Sequence, residues 1–408
     1  MRGQTVLCIE PSSRWNSLWR DSQQIMSRIA ARNRVLFFEP GRDSGRSVLT
    51  EMVRNLPNFV RLRSYRPLEH LYVIESPSTV PYARRHLPRA ILQAAMPLVG
   101  HINSRIRLRQ VRWAMKAFHV SDPILWLYDH FDADLIGNCD EKLVCYFNYD
   151  EFPDFTHNAH IRDLVRRWDD ELVRRVDVVF ATSRAQTERR KPINPRTFFV
   201  PNGVDFEAFN RALDPALEIP GDIGEIPKPI IGFAGWLGHH IDVPLLVKVA
   251  EAHRDCRLVL VGPEELPRGR DRDRLHRMAN VSFLGRKDRT ELPGYLKAFD
   301  VALMPWSLSG HILSAYPLKL HEYLAAGRAS VATALPELFP FGHVVRIAHS
   351  HDEFIRCIRE ALSGDSPEAI AARVDVARQN TWDQRVAEIG RILEPYLSGE
   401  PAGRVKRA

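Results

Sequence analysis

Cysteine is scarce in these 408 residues, with five in all, Cys8, Cys139, Cys145, Cys256 and Cys357. Their number is odd, their spacing wide, and no Cys-x-x-Cys pair occurs. That excludes a disulfide framework and a cysteine zinc site, and predicts reduced thiols. Long apolar runs are missing too. The first, residues 6–9, is stopped by Glu10 and is too short for the core of a signal peptide, and no stretch is long enough to cross a bilayer. The expectation is a cytoplasmic chain that does any membrane work from the inner face of the plasma membrane. No internal repeat of fixed period is present. With 22 Gly, 28 Pro, 26% charged and 45% hydrophobic residues, the chain is neither collagen-like nor disordered and has apolar material for two cores.

Acidic residues are outnumbered, Asp+Glu 50 against Lys+Arg 57, for a net charge of +7. The balance favours anionic partners without choosing among them. One segment, 76–121, has no Asp or Glu at all, while Arg84, Arg85, Arg89, Arg105, Arg107, Arg109, Arg112 and Lys116 interleave with apolar residues. It reads either as a solvated helical face or as a surface for anionic lipid or a phosphorylated lipid carrier. No nucleic-acid recognition motif accompanies the charge, so nucleic acid is not an expected partner.

Apolar runs of strand length at 6–9, 35–38, 124–128, 143–147 and 178–182 alternate with helical patterns at 19–31 and 160–176. This predicts a parallel sheet covered on both faces. Residues 205–229, with Pro215, Pro220, Gly221, Gly224, Pro227 and Pro229, have the turn chemistry of a linker. The alternation restarts beyond it, with strands at 230–234, 257–261, 281–284, 301–304 and 330–333 and helices at 243–253, 292–298, 317–326 and 352–362. The expected fold class is α/β with two tandem Rossmann-like doubly wound domains. Their bounds are 1–204, a linker 205–229, and 230–382, followed by a helix 383–397 that crosses back to the first domain and a disordered tail 398–408.

In such sheets the ligand lies beyond the carboxyl ends of the strands. The segment from Ser314 through Tyr316, Pro317, Leu318 and Lys319 to Glu322 is the most informative there. Pro317 suits a first helical turn, whose free amides attract an anion, and Lys319 adds a full charge. Glu322 is three residues on, hence on the same face, where it can accept hydrogen bonds from a ribose diol. Phosphate then ribose along one face is a nucleotide-shaped arrangement. The alternative is a plain surface ion pair between Lys319 and Glu322.

The runs Val200-Pro201-Asn202-Gly203-Val204-Asp205, Gly232-Phe233-Ala234-Gly235, Asn280 to Gly285, Asp300-Val301 with Pro305, and Pro317 to Gly327 together resemble bacterial GT-B glycosyltransferases. The likeness is to the family-4-like, group 1 type of cell-surface polysaccharide synthesis, and it covers residues 198–382. The resemblance implies a hexosyl transfer, with a nucleoside-diphosphate-sugar donor on the second domain, a saccharide or polyprenyl-phosphate-linked acceptor on the first, and reaction in the cleft between them. It implies Glu322 as the ribose ligand, Lys319 and Gly235 at the diphosphate, and Gly285 and Arg286 at the base. Ser314, Tyr316, Pro317 and Leu318 complete the expected donor-binding set. No cofactor other than the nucleotide sugar is expected.

Three departures stand out. Ser314 occupies the place of the family's first paired glutamate, only His239 and His240 stand where a basic pair is common, and Pro11-Ser12-Ser13-Arg14-Trp15 replaces a glycine-rich loop. These departures keep open a nucleotide-sugar epimerase or hydrolase, or a non-catalytic sugar-nucleotide-binding partner in an assembly complex. For a catalytic base, Asp150 after the strand 143–147 resembles the aspartate of some inverting exopolysaccharide glycosyltransferases, although it could equally cap the following helix. His130 is the second candidate. The run Asp129 to Asp134 contains an Asp-x-Asp that suits a divalent cation, but it lies in the first half, far from the phosphate signal, and no metal is expected.

Overall fold

A computed structural model describes residues 1–17, 19–40, 62–76, 89–155 and 158–398, with the backbone but not the side chains of 89–97. The chain forms two units, Met1–Pro201 with Val386–Ala408, and Asn202–Arg385. The helix Trp382–Leu397 begins in the second and from Val386 onward belongs to the first.

The first unit is built on β1 (Thr5–Ile9), β2 (Arg34–Glu39), β3 (Ser64–Leu68), β4 (Leu71–Glu75), β5 (Ile124–Leu127), β6 (Leu143–Asn148), β7 (Val178–Ala181) and β8 (Thr197–Phe199). Their order is β3-β4-β2-β1-β5-β6-β7-β8. Every pairing is parallel except that of β3 with β4. The central strands are continuous buried runs because helices cover both faces: all of β5, β6 and β7 is buried. β3 alternates exposed and half-buried residues and carries Pro67, which an edge strand tolerates because its outer amides need no partner.

The second unit holds β9 (Ile230–Ala234), β10 (Arg257–Val261), β11 (Val281–Gly285), β12 (Val301–Met304), β13 (Ala329–Thr333) and β14 (Arg346–Ala348). They lie in the order β11-β10-β9-β12-β13-β14, all parallel. Winding therefore reverses between β1 and β5 in one unit and between β9 and β12 in the other. At such switch points the flanking loops part and leave room for a ligand.

The expected linker is corrected. Residues 205–229 lie within the second unit, as the helices Phe206–Asn210 and Gly221–Gly224 and a turn at Arg211–Leu213. Phe209, Ala212 and Ile223 are buried, and Asn210 Nδ2 donates to the Ala325 carbonyl at 3.0 Å. Apolar residues spaced among the turn residues give the segment a face to bury. The expected tail lies, from 399 onward, outside the described residues.

Candidate functional site

In the second unit the switch point is closed by the helix Leu318–Ala325. Pro317 stands at its N-cap rather than inside the first turn. Gly327, at φ +68, ends the helix in the left-handed conformation that lets the Arg328 amide reach the Tyr323 carbonyl at 2.9 Å. The entry to the helix is fixed from behind. Asn202 Nδ2 donates to the Tyr316 carbonyl at 2.8 Å, and the Tyr316 hydroxyl meets His321 Nε2 at 2.8 Å. Burial, with Arg385 nearby, pushes His321 down to about 3, so its ring is neutral. On the inner face the Ala234 amide donates to the Tyr323 hydroxyl at 3.0 Å, tying the helix to the end of β9.

Lys319 Nζ lies 2.8 Å from Glu322 Oε2, both partly exposed. Below them the strand ends carry almost no side chains. The Gly235 amide donates to Val261 O and the Gly262 amide to Gly285 O, both at 2.8 Å. Gly262 has φ +140 and Gly285 φ +67. A Cβ on Gly235 would lie 2.9 Å from Lys319 Cε, and one on Gly262 would collide with the Gly235 carbonyl oxygen. Bare backbone, a lysine and the free amides of a helix start together form an anion-binding arrangement, and the Glu322 carboxylate beside it accepts from hydroxyl groups.

Flat rings wall the other side. His240 lies 4.9 Å from Trp306 and 5.1 Å from Trp236, centroid to centroid. Burial, with His239 and His311 alongside, pushes His240 down to about 4, so it too is neutral. Of the expected donor residues, Leu318 is the first helical residue, Ser314 ends the turn Gly310–Ser314, and Gly285 and Arg286 lie exposed at the end of the edge strand β11.

In the first unit, acids follow the strands. Glu10, after β1, is buried, and its Oε1 accepts from the Ser12 amide at 2.9 Å, the Ser12 hydroxyl at 2.7 Å and the Ser13 amide at 3.0 Å. Glu39, after Phe38 at the end of β2, accepts from the Arg14 guanidinium and from the Trp15 amide at 3.0 Å. Two carboxylates thus organise the loop 11–15, where the resemblance would place glycines. Asp150, half-buried after β6, has its carboxyl pushed up to about 7 by burial, with Arg20 opposing. Asp21 is likewise pushed up to about 7, by burial first and by Glu10 second. The capping role considered for Asp150 is taken by Asn158, whose side chain accepts from the Ile161 amide at the start of the helix Ala159–Arg175.

His130 is packed among Phe131, Phe152 and Trp168, with Nδ1 2.9 Å from Asp129 Oδ1. Burial opposes its charged form, but the Asp129 carboxylate outweighs it and the net shift is upward. The Asp-x-Asp residues part company. Asp132 is buried and pairs with Arg107, whereas Asp134 is exposed.

A buried polar chain supports the turn that carries Asp150. Arg190 Nη2 donates to Asp169 Oδ2 at 2.8 Å, and the Tyr146 hydroxyl donates to Asp169 Oδ1 at 2.8 Å. Asn148 Nδ2 then donates to the Tyr146 oxygen at 3.0 Å and to the Asp150 carbonyl at 2.9 Å. Arg190 Nη1 also holds Glu151 Oε2 at 3.0 Å. Arg190, Asp169, Tyr146 and Asn148 are all fully buried. The sequence reading missed Glu10, Asp21, Tyr323 and His311. Glu10, directly after an apolar run, carried a signal, whereas Tyr323 and His311 matter only through contacts that the fold creates.

Residues 228–364 match the family model "Glycosyl transferases group 1". A curated relative, named as a teichuronic acid biosynthesis glycosyltransferase, TuaH, of Bacillus subtilis (strain 168), is 28% identical over 191 residues. That similarity takes in 45% of this chain and 47% of the relative, about half the length of each. Among solved structures, a sucrose-phosphate synthase from Thermosynechococcus elongatus is similar with a TM-score of 0.69 at 15% identity, covering 97% of this chain and 100% of that one. A trehalose-6-phosphate structure from E. coli bound with UDP-2-fluoro glucose is similar with a TM-score of 0.68 at 12% identity, covering 95% and 99%. The second unit therefore matches the glycosyl transferases group 1 family model over residues 228–364, and the chain has a GT-B fold of two Rossmann-like domains.

Proposed function

We propose that the protein transfers a sugar from a nucleoside-diphosphate donor to a saccharide or lipid-linked acceptor in cell-surface glycan assembly. The observation that carries this reading is the cradle at the second unit's switch point, where Gly235 and Gly262 bare the backbone beneath Lys319 and the start of its helix. On nucleotide binding Lys319 exchanges its partner Glu322 for the diphosphate, and Glu322 turns to the ribose hydroxyls. With a lysine and helix amides to meet the phosphate charge, binding does not need magnesium. As the sugar leaves the diphosphate, the same groups stabilise the developing charge. Asp150 takes the proton of the acceptor hydroxyl. The family match and the similar structure bound with UDP-2-fluoro glucose support this reading.

Calorimetric titration of UDP, GDP and ADP, without metal and with magnesium, tests the donor site. One nucleotide should bind without metal, and Glu322→Ala should weaken it by about 1 to 3 kcal/mol, roughly 5- to 150-fold. Failure of all three to bind would contradict the reading.

We infer further that the first unit docks on anionic lipid. Arg84 and Arg85 of the basic segment lie outside the described residues, but the helix Arg89–Ala117 presents Leu98, Ile102, Arg105, Arg109, Arg112 and Lys116 as one exposed stripe at alternating spacings of four and three. Among the described residues no helix is long and apolar enough to cross a membrane. The protein should therefore sediment with phosphatidylglycerol vesicles but not with phosphatidylcholine alone. The triple change Arg105→Ser, Arg109→Ser, Lys116→Ser should cost about 1 kcal/mol per charge. Equal sedimentation with both lipids would argue against an electrostatic surface.

A further inference from the structure

A row of aromatic rings leads away from Asp150 in the first unit. The half-buried Tyr149 meets the half-buried Phe152 edge to face, with ring centroids 5.3 Å apart, and Phe152 lies 6.0 Å from Phe155. The short turn Phe152–Phe155 sets these rings side by side, soon after the carboxyl end of β6. Phe155 is 47% exposed. Large apolar rings left open beside a polar site mark a surface that binds something.

At the near end of the row the groups are polar. The Tyr149 hydroxyl stands 3.2 Å from that of the exposed Ser12, which donates to Glu10 at 2.7 Å. Glu10 and Asp150 both act electrostatically on Asp21, with Arg20 as the opposing charge. Asp21 is only 6% exposed, and its Oδ2 has no hydrogen-bond partner in the chain. A hydroxyl group both donates and accepts, so it serves such an oxygen whether or not the carboxyl carries its proton. A carboxylate or phosphate brought to this place meets three carboxyls of its own sign and is repelled. A pyranose suits both ends of the row, because hydroxyls edge its ring and C–H groups cover its faces.

We propose that this row is a groove for a neutral saccharide chain, in which the terminal residue sets its hydroxyls against Ser12, Tyr149 and Asp150 and the residue before it lays its C–H face over Phe152 and Phe155. That the chain bound there is the acceptor rests on the transfer reading above; that the groove holds a neutral saccharide does not. A monosaccharide reaches only the polar end, so affinity rises with chain length. Acidic sugars and sugar phosphates are disfavoured at the terminal position.

The test is ligand-observed NMR titration of the full chain with neutral glucosides, galactosides and N-acetylglucosaminides of one, two and three residues, with glucuronides and glucose 6-phosphate, and with farnesyl phosphate as a lipid probe. Wild type and Phe155→Ala are compared, together with UDP affinity by calorimetry. Phe155 is exposed, so its replacement leaves the core intact, and circular dichroism checks this. A neutral disaccharide or trisaccharide is expected to bind at least tenfold more tightly than its monosaccharide, with that advantage lost in Phe155→Ala and no binding of the acidic sugars. Absence of any saccharide binding, an affinity that does not change with chain length or in Phe155→Ala, or acidic sugars that bind as well as neutral ones, overturns the groove. Farnesyl phosphate that binds more tightly than every saccharide assigns the rings to a lipid chain and overturns it too. UDP that never binds, beside saccharide titrations that behave as expected, overturns the donor reading and leaves the groove supported.

Discussion

Asp150→Asn is expected to lower sugar transfer about 100- to 10,000-fold, the range a positioned general base contributes, while leaving nucleotide affinity unchanged. The change keeps the size of the side chain and removes only its ability to take a proton. The pH profile gives the expectation its sign. Burial pushes the Asp150 carboxyl up to about 7, so in the wild type the rate should rise with pH and level off above about 7. Stability should move the other way. A carboxyl whose folded pKa lies above its unfolded value holds a proton that the unfolded chain has already released. Its contribution is therefore fully present below the ordinary aspartate range and is lost as pH rises through about 7. Asp150→Asn should thus be no less stable than the wild type in mild alkali, which thermal unfolding on either side of neutrality checks. A variant that keeps its rate and its pH midpoint would assign the base elsewhere.

Arg190→Met should destabilise the first unit by about 3 to 5 kcal/mol, because removing one partner of a buried ion pair leaves the other uncompensated. Asp169 and Arg190 are both fully buried, and once Arg190 is gone Asp169 keeps the Tyr146 hydroxyl at 2.8 Å and the longer contact to Arg189 Nη1 at 3.7 Å. Glu151 suffers less, since Arg189 still pairs with it. The damage is directional. It runs through Tyr146 and Asn148 to the Asp150 carbonyl, so a variant that folds at low temperature should lose activity as well as stability. Urea unfolding followed by tryptophan fluorescence measures the first effect, and a midpoint unchanged from wild type would show that the pair is not needed to hold the turn.

How far the sequence could be read follows from what each element buries. β9, β10 and β12 are runs of apolar residues covered on both faces, and their bounds fall where the sequence places them. β3, with Arg66 and Pro67, and the three-residue strands β8 and β14 lack such runs, because an edge strand or a short one needs little apolar cover. In the same way, Pro and Gly suggested a linker at 205–229 while Phe209 and Ile223 were anchoring it. Lys319 and Glu322 were legible as neighbours because a helix enforces their spacing. No local rule joins His239 to His311 or Arg14 to Glu39; sheet order alone brings those pairs together. Asp150 was legible as a strand-end acid, but its raised pKa depends on burial that only the fold supplies.

The measurement that bears most directly on the central claim is transfer of a radiolabelled sugar from UDP-, GDP- and ADP-sugars into a bacterial membrane extract by the wild type and Asp150→Asn. Glycosyl transfer predicts label in a lipid or saccharide product from one of these donors, dependent on the extract and lost in the variant. Release of free sugar or conversion of the donor at the same rate without any extract would contradict it.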